Sequence, residues 1–298
     1  MSVILTVSNY VFPLLTYSYV TRILLAEGTG KVAFVRNILS YFMYIAALGI
    51  GGYGMRECAK VRGDRDRLSR LTTELLTINM ISTVIAYFAF AAFFFLVPKF
   101  HDYMVLFAVM CPDILLQTLG MEWLYRGMEE YTYITVRSIL FKSMAVALTF
   151  CLVRDAGDVV WYGAITIFTA SASNLLNFFH ARKYIDWKKV EGKHLKRHLK
   201  PVMVFFFSTI IIAIYGHFDT TMLGFMKGDG VVGIYNAGLR MNALVLSVST
   251  AVTSVFIPRM SRYYVDGEQA RFLGLLVKSF RITLVLMFPL CVFVILSL

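Results

Sequence analysis

Long apolar stretches alternate with short polar ones along the whole chain. A helix needs about 20 residues to cross the ~30 Å hydrocarbon core of a bilayer. Nine apolar stretches reach that length, so the pattern predicts nine membrane-spanning helices in an all-α, polytopic bundle. Their approximate bounds are 2–24, 33–54, 75–98, 102–124, 132–153, 157–180, 201–225, 231–257 and 276–298.

The composition is that of a chain solvated by lipid. Hydrophobic residues make up 58% of the 298 residues and charged residues 16%, against about 45–50% and 25% in soluble domains. The formal charge of +11 is most simply explained by basic residues in loops, which anchor membrane proteins on the cytoplasmic side. Nucleic acid is therefore not an expected partner.

Basic residues are distributed unequally between alternate loops. The loops at 55–74, 125–131, 181–200 and 258–275 carry eighteen Lys and Arg, and the other set of loops carries four. Because basic residues in short loops resist translocation, the first set is predicted to be cytoplasmic, which places the N-terminus inside. The segment 182–200 is amphipathic enough to lie on the membrane surface.

This basic loop divides the chain into an N-terminal lobe of six spans, 1–184, and the start of a C-terminal lobe, 185–298, with three spans. A weak internal similarity supports the division, because EGTGKV at 27–32 follows the first span and DGVVGI at 229–234 follows the seventh. Both place an acidic-glycine turn at the outer face, as expected of a transporter built from two parallel repeats. On this interpretation the second repeat is half present.

Several ionisable residues lie inside the predicted spans, where each costs at least ~2.5–3.5 kcal/mol near the bilayer centre. The cations are Arg22, Arg36, Arg137, Lys142 and Arg240, and the acids are Asp113, Glu122 and Asp219. If the cations face one cavity, that cavity suits phosphate or pyrophosphate, which guanidinium groups bind bidentately. The alternative is structural: Arg36, Arg137 and Lys142 extend to the nearer interface, and Arg240 pairs with Asp219.

Two carboxylates are candidates for binding a coupling cation or proton. Asp219 and Glu122 lie in apolar spans, and buried carboxylates either titrate or pair. Structural pairing is an equal alternative. Metal and cofactor sites are not expected, because the four cysteines show no C-x-x-C spacing and the five histidines form no ligand motif.

Six segments of the chain carry a family resemblance. They are FPLLTYSYVTRIL at 12–24, EGTGKVAF at 27–34, LGIGGYGMRECAKVRGDRDRLSRLTTELLTIN at 48–79, GMEWLYRGMEEYTYITVRSILFK at 120–142, HLKPVMVFF at 198–206, and FDTTMLGFMKGDGVVGIYNAGLR at 218–240. In this order they resemble the polysaccharide flippases of the multidrug/oligosaccharidyl-lipid/polysaccharide (MOP) exporter superfamily, which are bacterial transporters of the O-antigen and teichoic-acid type. The likeness extends over nearly the whole chain.

The resemblance implies a two-lobed MOP/MATE-like fold around a central cavity, with the second lobe incomplete in this chain. Such flippases move an undecaprenyl-pyrophosphate-linked oligosaccharide across the bacterial cytoplasmic membrane by alternating access, and they make or break no bond. By resemblance, Arg22, Arg56 and Arg240 match basic positions and Asp219 matches the carboxylate of the seventh helix. We expect Arg22 and Arg240 to clamp the pyrophosphate, with Asp219 as their counter-charge.

Other functions stay open at this stage. A cation-coupled drug antiporter shares the fold but would have a more acidic cavity. A membrane polymerase or glycosyltransferase of polysaccharide assembly would need a large outer loop or a cytoplasmic domain, whereas every predicted outer loop is short. A structural subunit of an assembly complex is a third alternative. The expected partners are the lipid-linked oligosaccharide, membrane lipids, a coupling cation or proton, and polysaccharide-assembly proteins.

Overall fold

The computed structural model describes residues 2–187, 194–265 and 267–297. These residues contain no β-strand, which confirms the all-α prediction. The α-helices are α1 (Ser2–Ala47), α2 (Ile50–Val61), α3 (Arg65–Leu96), α4 (Met104–Met110), α5 (Pro112–Gly120), α6 (Glu122–Gly127), α7 (Tyr131–Leu152), α8 (Val159–Ile167), α9 (Ser173–His180), α10 (Lys196–Lys227), α11 (Asp229–Val265) and α12 (Gln269–Ser297). Short 3₁₀ segments cover Pro98–Tyr103 and Ala181–Lys183, and a π-helical turn covers Phe168–Ala172.

Every predicted span coincides with helix in the described residues. The span at 102–124 is built from α4, α5 and α6, and the span at 157–180 from α8, the π turn and α9. Seven helical stretches of the described chain are long and apolar enough to cross a membrane. The spans at 2–24 and 33–54 share one of these, and α11 is not among them. The polytopic helical bundle is confirmed, and the count of nine spans stays a prediction.

The polar connections are much shorter than the sequence predicts. The predicted loop at 55–74 is helical apart from residues 62–64. There the Asp64 carboxylate accepts hydrogen bonds from the N–H groups of Asp66 (3.1 Å) and Arg67 (3.0 Å) and so caps α3. The loop prediction was wrong because it ended each helix where apolar residues end, whereas the backbone hydrogen bonds continue beyond the apolar stretch.

Helix α1 is two helices joined at Leu25. Leu25 has φ 56° and ψ −173°, a conformation that glycine adopts readily and other residues rarely. Thr16 and Arg36 border the same cavity, whereas a straight helix would separate them by about 30 Å. The chain must therefore reverse its direction at Leu25. The halves of α1 before and after Leu25 therefore form a helical hairpin.

A second hairpin, formed by α10 and α11, reverses at Gly228 with a similar backbone conformation (φ 86°, ψ −179°). The two hairpins touch reciprocally. A β-carbon added to Gly30 would overlap the carbonyl oxygen of Asp229, and one added to Gly233 would overlap that of Ala26. Ala26 corresponds to Asp229, and Gly30 corresponds to Gly233 at the same separation in sequence. The two contacts are therefore equivalent, and a local two-fold axis relates the hairpins.

Contacts around these hairpins close one end of the bundle, which we call the turn end. The Lys99 ammonium donates a hydrogen bond to the carbonyl oxygen of Gly224 and lies near two phenylalanine rings. The Tyr103 hydroxyl donates to the Asp229 carboxylate (2.7 Å). The opposite end of the bundle, which carries residues 48–64, is called the basic end.

The interior consists of two apolar clusters separated by a polar layer. The cluster around Phe107 lies toward the turn end and the cluster around Tyr125 toward the basic end. The polar layer comprises the buried side chains Asn79, Ser82, Thr83, Asp113, Thr118, Ser171 and Asn177. Within it the Asn79 amide donates to the carbonyl oxygen of Ala46 (2.7 Å). Because buried polar groups must be paired, this layer fixes the relative positions of the helices that supply it.

The start of α10 is tied to α3 at the basic end. Glu74 is fully buried and forms hydrogen bonds with the His194 backbone N–H (2.9 Å), the Arg197 guanidinium (2.6 Å) and Nε2 of His198 (2.8 Å). The other ring nitrogen of His198 pairs with the hydroxyl of Tyr53 (2.8 Å) on α2. These contacts hold the first turn of α10 against both α2 and α3.

Candidate functional site

Three adjoining cavities run through the bundle, and the Gln117 side chain borders all of them. The central cavity (about 790 Å³) lies between α1, α10 and α11 and is bordered by Arg36 and Arg240. The basic pocket (about 400 Å³) shares these two arginines and extends to α7. The entrance cavity (about 320 Å³) reaches the exposed Gly51 and Gly52 at the basic end. The three cavities therefore adjoin at Gln117 and extend to the basic end.

Arg36 lies at the junction of the central cavity and the basic pocket. Its side chain is accessible in this space although the residue sits between packed helices. Among the described residues its guanidinium has no hydrogen bond and no ion pair, and the nearest charges that act on it are Asp113 and Arg240. An accessible, unpaired guanidinium inside a membrane bundle is available to an anion.

Arg240 approaches the same junction from α11. Its guanidinium carbon lies 4.1 Å from the ring centroid of Tyr17, and Tyr17 belongs to the first half of α1. This cation–π contact stabilises the side chain without neutralising it. Since Arg36 and Arg240 border the same two cavities, two like charges face one space. An anion between them would remove their mutual repulsion.

Two cations of α7 also border the basic pocket. Arg137 and Lys142 are each 8% exposed, so they do not extend to the membrane interface, and that structural alternative is wrong for both. Arg137 donates through its Nη1 to the carbonyl oxygen of Ser173 (3.3 Å), while its Nε is buried without a partner among the described residues. Because buried donors are nearly always paired, the free Nε is a second sign that this pocket receives a ligand.

Glu122 is the acidic member of the basic pocket and also borders the entrance cavity. It pairs with Arg126 one helical turn away (3.1 Å). It also acts electrostatically on Arg137 and Lys142. Glu122 therefore reduces the positive potential of the pocket, and its role in coupling stays a prediction.

Three predicted site residues lie outside these cavities. Arg22 is exposed on α1, and Arg56 is exposed on α2 at the basic end. Asp219 is exposed on α10 and accepts a hydrogen bond from the Tyr235 hydroxyl (3.0 Å). The structure does not bring these side chains to Arg240.

Among the described residues the clamp of Arg22 with Arg240 and the pairing of Arg240 with Asp219 are not formed, and the roles of Arg22 and Asp219 stay predictions. The reason is the rotation of α1 about its axis. Five helical residues turn a side chain by about 140°, so Arg22 points away from the side of α1 that carries Tyr17. Arg36, from the other half of the hairpin, occupies the position that the sequence prediction gave to Arg22.

The sequence holds a signal for Arg36 that the prediction did not use. Thr29, Ala33, Arg36, Ser40 and Tyr44 recur at intervals of three or four residues, and all of them border the central cavity. Residues at this spacing share one face of a helix. A stripe of small and polar residues in an otherwise apolar span therefore indicates the face of the helix that lines the cavity, and Arg36 lies on this face.

Where α1 meets α10, the wall of the central cavity carries polar and aromatic side chains. The Nδ1 of His217 on α10 pairs with Oδ1 of Asn37 (2.6 Å), and Nδ2 of Asn37 donates to the hydroxyl of Thr221 (2.7 Å). The rings of Tyr41 and Tyr44 lie 6.1 and 6.0 Å from the His217 ring. The central cavity thus differs in chemistry from the cationic pocket beside it.

No metal-binding cluster of three His, Cys, Asp or Glu side chains is found in the described part of the chain. The functional groups that line these cavities are guanidinium, ammonium, hydroxyl, amide, imidazole and aromatic groups, with one carboxylate, that of Glu122. These groups bind and orient a ligand, with the charged ones selecting an anion.

Comparison with known proteins identifies relatives over most of the chain. The family model described as polysaccharide biosynthesis protein matches residues 1–264. A putative O-antigen transporter of Escherichia coli (strain K12) is 25% identical over 260 residues, which cover 85% of this chain and 62% of the relative. A putative O-antigen transporter of Shigella dysenteriae is 24% identical over 263 residues, which cover 86% and 64%. No solved structure matches the chain.

The chain spans less than two thirds of the length of these curated relatives. The family match nevertheless includes both hairpins and all three cavities described above. Seven long apolar helices in the described part of the chain, together with the transporter relatives, make this a multi-pass membrane protein. With 264 residues matched, the chain belongs to the polysaccharide biosynthesis protein family.

Proposed function

We propose that this protein is a flippase that carries a polyprenyl-pyrophosphate-linked oligosaccharide, such as an undecaprenyl-linked one, across the bacterial cytoplasmic membrane for surface polysaccharide biosynthesis. Two relatives that are named putative O-antigen transporters support a role in moving a surface polysaccharide or its precursor. The reaction is movement between leaflets by alternating access. No covalent bond changes, so the protein acts as a transporter and not as an enzyme.

The observation that carries the proposal is the pair of unneutralised guanidinium groups at one junction. Arg36 and Arg240 come from different hairpins and border the same two cavities. A pyrophosphate carries oxygens on two phosphorus atoms and can accept from both guanidinium groups at once. Each charged hydrogen bond contributes about 1.5–3 kcal/mol, and the buried Arg137 and Lys142 add to the potential.

The two cavities divide the substrate by its chemistry. The pyrophosphate occupies the basic pocket, where the cations converge. The glycan occupies the central cavity. The hydroxyl and amide groups around Asn37 and His217 can bond the hydroxyl groups of a sugar, and the aromatic rings there can pack against its apolar faces. The polyprenyl chain stays in the bilayer, because moving this apolar chain from lipid to polar surroundings would not be favourable in free energy.

Orientation follows from the distribution of basic residues. Their excess at the basic end supports an orientation with that end and the N-terminus in the cytoplasm. The turn end is then outside. With the turn end closed around Gly30 and Gly233 and the entrance cavity at the basic end, the protein is in a conformation that accepts substrate from the cytoplasmic side.

Transport requires the two lobes, 1–184 and 185–298, to part at the turn end. The hairpin of α1 belongs to one lobe and the hairpin of α10 and α11 to the other. Their separation would open the junction of Arg36 and Arg240 to the outside. Net movement of substrate in one direction is driven by a coupling cation or proton, or by the concentration gradient of the substrate itself.

The test is movement of substrate in proteoliposomes that contain this chain. Lipid-linked oligosaccharide is placed in the inner leaflet, and its appearance outside is scored by an added glycosidase. Arg36→Ala and Arg240→Ala are compared with Arg67→Ala, which removes an arginine that is 78% exposed at the basic end. We expect transport by the parent and by Arg67→Ala, and at least a tenfold loss in the other two, from one lost charged hydrogen bond.

Two outcomes would contradict the proposal. Full transport by the double variant Arg36→Ala/Arg240→Ala would show that the junction does not bind the pyrophosphate. Protein-dependent release of sugar or growth of the glycan, without exposure of intact substrate, would favour a membrane enzyme. Efflux of a cationic drug in exchange for cations, with no flipping, would favour the antiporter.

A further inference from the structure

Asp113 is a buried carboxylate beside the substrate cavities. It lies on α5 in the polar layer of the bundle and is 5% exposed. The hydroxyl of Ser171 donates a hydrogen bond to its Oδ1. A second link leads outward, because Nε2 of Gln117 donates to the hydroxyl of Ser171 (3.1 Å) and Gln117 borders all three cavities. Only two side chains therefore separate Asp113 from cavity water.

Ser171 is held in an unusual backbone geometry. It belongs to the π-helical turn Phe168–Ala172 between α8 and α9, and it is fully buried. π-helical turns are rare and are found mostly at functional sites. Here the turn directs a hydroxyl to the carboxylate where a regular helix would present a different face.

The charged and titratable groups that face Asp113 are few. From α1 the guanidinium of Arg36 acts on it electrostatically. From α3 the phenol of Tyr87 lies nearby, with its hydroxyl donating to the carbonyl oxygen of Cys111 (3.0 Å). From the π turn the described neighbour is the neutral Ser171, and from α5 itself it is the neutral Gln117.

Arg36 itself faces three further groups. These are Arg240 from α11, Tyr162 from α8 and His217 from α10. Two of them, Arg240 and His217, belong to the second hairpin. In the described residues Arg36 is therefore the one cation that the structure sets against Asp113, and it forms no ion pair with it.

The protonation of Asp113 depends on whether Arg36 is free. Burial favours the neutral acid, and the field of Arg36 together with the Ser171 hydroxyl favours the carboxylate. An anion bound at Arg36 cancels the field of the guanidinium at Asp113. The balance then moves toward the neutral acid, and a proton enters from cavity water past Gln117.

We propose that Asp113 is a proton-binding site linked to the substrate site, so that binding of a pyrophosphate at Arg36 is accompanied by uptake of one proton by Asp113. This proposal rests on the proposed function, because the linked ligand is the same pyrophosphate. Reciprocity then requires that a proton on Asp113 strengthens anion binding by the same factor. The loaded protein therefore carries one proton more than the empty protein.

The test is calorimetric titration of the chain in lipid nanodiscs with a pyrophosphate diester. Such a diester carries one organic group on each phosphorus, so its own charge does not change near neutral pH. The titration is repeated in buffers of different ionisation enthalpy, which gives the number of protons taken up. We expect uptake approaching one proton and an affinity that rises as pH falls, by up to about tenfold per pH unit.

Variants assign the proton to its group. In Asp113→Asn, which mimics the neutral acid, we expect no proton uptake and a tight affinity that does not change with pH. Asp102→Asn, which removes an exposed carboxylate outside the cavities, should keep both the uptake and the pH dependence. Infrared difference spectra of the unaltered chain should show a protonated carboxyl band on binding of the diester, which identifies a carboxyl group even if Asp113→Asn does not fold.

The outcomes separate this proposal from the proposed function. Binding of the diester without proton uptake, or with the same pH profile in Asp113→Asn, overturns the linkage while the pyrophosphate site stands. Loss of the pH dependence in Asp102→Asn also overturns it. Absence of diester binding at any pH overturns both the linkage and the pyrophosphate site.

Discussion

Gly30 of α1 lies against the carbonyl oxygen of Asp229 at the tip of the second hairpin, with no room for a β-carbon between them. The symmetry-related contact joins Gly233 to Ala26. Helices approach this closely only where a side chain is missing. The closed turn end therefore depends on two glycines about 200 residues apart in sequence.

Gly30→Ala is expected to open the turn end. The added methyl group cannot fit while the hairpins touch, and overpacking of this kind costs about 1–3 kcal/mol. Access of a membrane-impermeant maleimide to a cysteine at Val232, which is fully buried, measures the opening in a background without other cysteines. Labelling should be faster by about fivefold or more. Gly230→Ala, whose β-carbon would meet nothing within 4 Å, should label at the parent rate.

Substitutions at the two hairpin turns, Leu25 and Gly228, should have opposite effects on thermal stability. Leu25 holds a positive φ of 56°, which strains a non-glycine residue by about 1–3 kcal/mol, and its side chain is 61% exposed. Leu25→Gly should therefore raise the melting temperature in detergent. Gly228→Ala should lower it, because alanine would take on the strain. Equal shifts in the same direction would show that the hairpins do not depend on these conformations.

The ring of Tyr17 is expected to support substrate binding through Arg240. Tyr17→Phe keeps the aromatic face under the guanidinium and should bind a pyrophosphate diester within about twofold of the parent. Tyr17→Leu removes the face and should weaken binding by about 2- to 30-fold, since a cation–π contact contributes ~0.5–2 kcal/mol. Isothermal titration calorimetry distinguishes the two. Equal affinity of all three proteins would mean that the stacking has no part in the site.

Glu122→Gln is expected to strengthen anion binding. Glu122 is half-exposed in the basic pocket and pairs with Arg126, so its removal leaves more positive potential at Arg137 and Lys142. The gain should be up to about fivefold, because partly exposed charge pairs contribute ~0–1 kcal/mol. Asp102→Asn, an exposed carboxylate outside the cavities, is the matched control. Loss of transport with unchanged binding would instead support the sequence prediction that Glu122 takes part in coupling.

The sequence predicts the helices well and the rotation of their faces poorly. Apolar length locates the spans because lipid demands it. The face that meets the cavity depends on contacts such as Tyr17 with Arg240 and Gly30 with Asp229, which join residues about 200 positions apart. Both Arg22 and Arg36 are cations in apolar spans, and only the stripe of polar residues around Arg36 distinguishes them in sequence.

The two hairpin turns show a second limit. Gly228 stands between two helices as a recognisable breaker, and the sequence prediction placed a loop there. Leu25 itself gives no such signal, since leucine is a good helix former, and the prediction spread the turn over a longer loop at 25–32. Tertiary contacts at the turn end, not local preference, stabilise the reversal at Leu25.

The buried Glu74 has a consequence for the order in which the protein is made. Its three partners, His194, Arg197 and His198, are synthesised about 120 residues after it. Until they leave the ribosome, the carboxylate has no partner from this group, and a bundle ending at α9 would hold an unpaired acid at the basic end. The first lobe therefore completes its folding only once translation has reached the second, which couples the assembly of the two lobes to each other.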